Sequence, residues 1–108
     1  MAISDSHSRA ADHDEELRYR TVQEQRQLPL EKSRTVLFTA LGDDSWRVRK
    51  QAVEVLMAAR PDQDTFHQLI DLLRDEDNAG LRNATAELLV RCGSRVVPIL
   101  LGYLHDAD

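Results

Sequence analysis

A chain of 108 residues has room for one compact domain or a short array of repeats, and excludes two independent globular lobes. Its 19 Asp and Glu against 14 Lys and Arg give a net charge of −5, so no cationic field draws in phosphate backbones and no nucleic acid is expected as a partner. A single cysteine, Cys92, excludes an internal disulfide framework, and no apolar run approaches the ~20 residues that span a bilayer.

Leu and Ala number 26 and Val and Ile 11, a balance that favours helices over strands. Residues 1–11 are small, polar and aperiodic and read as a disordered tail without the basic and hydrophobic regions of a signal peptide. From Asp14 to about Gln27 a weak helical pattern places Leu17, Thr21, Val22 and Leu28 on one side. Pro29 opens a second helix, Leu30 to about Leu41, which Gly42 ends. A third, about Trp46 to Ala59, carries the apolar stripe Val48, Ala52, Val53, Val55, Leu56 and Ala59 and stops at Arg60 and Pro61. A fourth runs from about Thr65 to Arg74 and a fifth from about Ala79 to Arg91, with Gly93 as its C-terminal cap. Ser94 is placed to cap the last helix, Arg95 to about His105, with Pro98 near its permissive first turn.

The chain repeats itself. VRKQAVEVL from Val48 returns 33 residues later as LRNATAELL from Leu81, and more faintly 31 residues earlier as LRYRTVQEQ from Leu17. The three aliphatics are predicted to enter the core. Three positions before each stands Asp14, Ser45 or Asn78, a residue able to accept hydrogen bonds from the open amides at a helix start. The first helices of the units align on Leu37, Leu69 and Leu100, and on Leu41, Leu73 and Leu104, each followed two residues later by Asp43, Asp75 or Asp106. The predicted domain therefore spans 12–108 as a half repeat 12–28, repeats 29–61 and 62–93, and a half repeat 94–108.

DHDEELRYRTV, LGDDSWRVRKQAVEVL, LRDEDNAGLRNATAELL and VVPILLGYLHDAD carry a resemblance to the HEAT-repeat family, especially the short bacterial HEAT-like repeats of phycobilisome lyase subunits. The resemblance implies an all-α, right-handed α-α superhelix of antiparallel helix pairs. It further implies a structural ladder in which Arg49 and Arg82 bond turn acids such as Asp43 and Asp75, with Asp12 and Arg18 at the matching places of the first unit. Gln25 departs from the pattern, standing where Leu56 and Leu89 occur.

Chemistry is sparse. Asp12 to Asp14 and the pair His67 and Asp71 do not complete a metal site, there is no nucleophile elbow or phosphate loop, and neither catalysis, metal nor cofactor is expected. Cys92 reads as a small core residue, and Trp46 as packing over the turn before Val48, with a recognition hot spot as its other reading. Stacked second helices would line a concave wall of mixed charge. Tyr19, Gln23, Arg26, Arg47, Lys50, Glu54, Asn83, Glu87 and Arg91 are its candidate contacts for a protein partner, beside Met57 and Val90.

The expected function is a cytoplasmic protein-interaction module. The alternative, implied by the lyase resemblance, is an accessory piece that helps hold a bilin or similar prosthetic group. VVPILLGYL, Val96 to Leu104, carries no charge and calls for partners on more than one side: further repeats, a second copy, or an inward tilt that makes it a cap.

Overall fold

A computed structural model describes the backbone of residues 2–106 and the side chains of residues 13–102. It is an array of helices: α1 (Ala2–Glu24), a 3-10 turn (Gln25–Gln27), α2 (Leu30–Leu41), α3 (Trp46–Ala59), α4 (Gln63–Leu72), α5 (Ala79–Cys92), a second 3-10 turn (Gly93–Arg95) and α6 (Val97–Asp106), with no strand among the described residues. The second helices α1, α3 and α5 lie side by side. The first helices form the other layer, α2 against α3 and α4 against α5, with α6 beside α4.

Each boundary has a local cause. The Ser45 hydroxyl accepts from the Val48 amide at 3.3 Å and the Asn78 side-chain oxygen from the Leu81 amide at 2.9 Å, which fixes the starts of α3 and α5. Pro29, with φ −60° and ψ 147°, leaves its carbonyl to accept from Lys32 and Ser33 as α2 begins. Arg60 adopts the left-handed conformation, φ 53°, between α3 and the buried Pro61, because a residue before proline avoids the right-handed helical region. Gly93, φ 61°, ends α5 and returns its amide to Leu89 and Val90.

Four expectations about helix ends are corrected. Helix α1 begins at Ala2 and runs through the stretch read as a tail, since aperiodicity removes a buried face without adding a helix breaker. Asp14 therefore sits inside α1, where the amides it would cap already have intrahelical partners, and it is exposed. Helix α4 starts at Gln63, ahead of the expected start near Thr65, because Asp62 caps it, its carboxylate accepting from the Thr65 amide at 2.8 Å. Ser94 lies in a 3-10 turn that has no side-chain cap.

The core runs along the interface of the two layers, with Leu37, Leu41, Val48, Ala52, Val53, Leu56, Leu69 and Leu88 at 0% exposure. Gln25 is buried at a leucine position because its side-chain amide donates to the Thr21 carbonyl at 2.9 Å. Val48 and Leu81 enter the core as expected, but Leu17 does not: it is 48% exposed, for among the described residues no first helix covers that side of α1.

Candidate functional site

The turns that join the two layers are tied both within and between units. Asp43 accepts from the Ser45 amide at 2.9 Å and receives the Arg18 guanidinium of α1 at 2.9 and 3.2 Å, one contact to each carboxylate oxygen. In the next unit Asp75 accepts from the Asp77 and Asn78 amides at 2.9 and 3.1 Å. The arginine ladder differs from the expected one in its acceptors. Arg49 donates to the backbone carbonyls of Asp43 and Asp44 at 2.7 and 3.1 Å, and Arg82 to that of Asp75 at 2.6 Å. The Asp43 carboxylate is engaged by the Ser45 amide and Arg18, and that of Asp75 by turn amides, which leaves the carbonyls to the guanidinium groups of their own units.

Asn78 crosses units. Its side-chain nitrogen donates to the Gly42 carbonyl at 3.1 Å while its oxygen caps α5. A Cβ at Gly42 would lie 2.8 Å from that nitrogen, so a side chain there displaces the Asn78 amide, although the φ of −104° is open to any residue. Asp14 bonds nothing in this ladder as a cap, and the side chain of Asp12 lies outside the described residues.

On the outward side of α1, α3 and α5 the expected contact residues meet across helices. The Arg47 guanidinium lies 3.8 Å over the Tyr19 ring and 2.6 Å from Glu16, Lys50 pairs with Glu87 at 2.6 Å, and Arg91 grips Glu54 at 2.6 and 3.2 Å. The Arg47 hydrogen bond holds the Glu16 carboxyl below its ordinary value, and the Arg91 hydrogen bond does the same for Glu54, with Lys50 and Arg26 adding attraction from further off. Gln23, Arg26 and Asn83 are exposed, and Val90 is 79% exposed. Cys92 is half-buried against Met57, its thiol 3.6 Å from the thioether sulfur, and burial pushes its pKa up, which suits packing and not nucleophilic attack.

Trp46 was expected to pack over its turn and instead stands 67% exposed. Gly80 of α5, where a Cβ would lie 3.2 Å from the Arg49 side chain, stands at the same opening. Together with Arg49, Lys50, Asn83, Ala84 and Glu87 they line a hollow of about 220 Å³ between α3 and α5, with the Lys50 ammonium 6.0 Å from the indole. The periodicity that marks a helix face does not reach this residue, because it occupies the first turn and its neighbour comes from the next unit.

No group of three or more His, Cys, Asp or Glu among the described residues could hold a metal ion, and no helix among them is long and apolar enough to cross a membrane. A family model described as HEAT repeats matches residues 7–90. Neither a curated protein nor a solved structure matches the chain.

Proposed function

The chain belongs to the HEAT-repeat family, and on that footing we propose that it is a non-catalytic interaction module whose second helices α1, α3 and α5 bind a protein partner across their shared outward face. HEAT repeats generally mediate protein–protein interaction or scaffolding. The observation that carries the choice of face is Trp46: a large aromatic, two-thirds exposed, at the rim of the α3–α5 hollow, where it offers a rigid apolar anchor beside the amide of Asn83.

The ion pairs around Trp46 support a protein over a polyanion. Arg47, Lys50 and Arg91 each hold a carboxylate, so a phosphate backbone would have to displace Glu16, Glu87 and Glu54 before gaining a cation. A protein surface can lie over a patchwork already neutralised and take its affinity from the apolar and amide groups between the pairs, Trp46, Val90, Gln23 and Asn83. The reading as a lyase-type accessory that holds a bilin rests on the resemblance of the turn motifs alone and takes second place. An absorbance shift on mixing with a bilin would promote it.

Affinity capture with the immobilised chain tests the first reading. Proteins held by the wild-type chain are expected to be lost from Trp46→Ala at unchanged helicity, with a weakening of about 30-fold or more, the roughly 2 kcal/mol of a hot-spot truncation. Charge reversal at both Lys50 and Glu54 is expected to weaken capture as well. Identical protein sets held by all three chains would refute the face.

A further inference from the structure

Positions that share a register inside the array do not share an environment at its two edges. Val48 and Ala52 of α3 are buried, and so are Leu81 and Thr85 of α5, with Leu81 beside Gly42 at the end of α2. The same register on α1 is Leu17 and Thr21, and both are exposed. At the other edge, Phe66, Leu69 and Ile70 of α4 are buried, at 2, 0 and 6% exposure, while their counterparts on α6, Val97, Leu100 and Leu101, stand at 49, 38 and 53%. One edge bares positions that are buried on α3 and α5, and the other bares positions that are buried on α4.

The bare stripe of α1 faces a space of the right kind. Between α1 and α2 lies an open hollow of about 360 Å³, chiefly apolar, with Leu17, Thr21, Val22, Val36 and Ala40 in its lining. The charged groups on its rim, Arg18 and Asp43, are bonded to each other. A helix such as α6, which carries no charge from Val97 to Leu104, can bring that stretch in without breaking the pair or desolvating a charge.

We propose that a second copy of this chain docks head to tail, α6 of one copy entering the α1–α2 hollow of the next, so that α6 and the neighbour's α1 form the same helix pair as α4 and α5 within one chain. The contact continues the existing stack in its own register, and the two stripes cannot meet within one molecule, because α3 and α5 separate α1 from α6. Such a contact joins two different surfaces and has no twofold axis, so it propagates into short filaments or closes as a ring. It uses the edges of the array and leaves the Trp46 face open, and so stands or falls apart from the partner-binding reading.

Sedimentation velocity of the 108-residue chain over a range of concentrations tests it. The wild-type mass is expected to rise from monomer through dimer to larger species. Leu17→Glu and Leu101→Glu, both at exposed sites, are each expected to stay monomeric alone with unchanged helicity. Mixed in equal amounts they should give a dimer and nothing larger, because one intact α6 and one intact α1 remain to meet. Val97→Glu should replace Leu101→Glu in the mixture with the same result, which guards against a folding defect at one site. A wild-type chain that is monomeric at its highest soluble concentration would overturn the proposal. So would a mixture with no dimer, or a Leu17→Glu chain that dimerises alone, since that result assigns the contact to α6 pairing with α6.

Discussion

Asn78 performs two tasks with one side chain, capping α5 and binding the Gly42 carbonyl of the preceding unit. Asn78→Ala should therefore cost more than the about 1 kcal/mol expected for Ser45→Ala, while Asp14→Ala should stay within about 0.5 kcal/mol of wild type, as read by urea denaturation. Gly42→Ala would push the Asn78 amide from its place, so its cost should largely vanish in an Asn78→Ala background. A double-mutant cycle that finds the two changes additive would contradict that coupling. The carboxyls of Glu16 and Glu54 are held low chiefly by Arg47 and Arg91. Their stabilising effect is thus present above the ordinary value of 4.5 and is lost as pH falls through the lowered ones. Melting temperature should drop less steeply below that value in Glu16→Gln, Glu54→Gln than in wild type. Ser45 and Asn78 were legible from the repeat register. Asp14 shares that register yet caps nothing, because a cap also requires the helix to start there, and no breaker precedes it.

Helices were read more securely than their environments. The bounds of α2 and α3 follow from Pro29, Gly42, Ser45 and Arg60–Pro61, each acting within its own stretch of chain. The exposure of Leu17 does not follow from any local signal, since Leu17, Val48 and Leu81 look alike in sequence and differ only in what packs on them. Truncation separates them: Leu81→Ala should cost about 2–5 kcal/mol as a cavity-forming change, and Leu17→Ala well under half of that, both by equilibrium unfolding. Equal losses would mean that α1 is covered much as α5 is. Helix α6 shows the same division. The uncharged run Val96 to Leu104 announced a need for neighbours, and only the structure shows that Val96, just before α6, and Ile99 are the side already covered.

For the molecule as a whole, the internal repeat was the strongest signal, and it foretold the two-layer stack because each unit buries its apolar stripe only against another. The candidate face was legible by offset from unit to unit. The pairing of its charges was not, because Lys50 with Glu87 and Glu54 with Arg91 depend on the lateral spacing of α3 and α5. Trp46 was read first as packing and second as a hot spot, and its 67% exposure depends in the same way on how α3 and α5 lie beside each other. The proposed partner surface is the one formed by α1, α3 and α5. Amide hydrogen exchange of the chain with and without a captured partner addresses that surface most directly. Slowed exchange concentrated in α3 and α5, with the turn at Ser45–Trp46 included and α2 and α4 unchanged, is the predicted footprint. Protection confined to α2 and α4 would place the partner on the opposite layer and contradict the account.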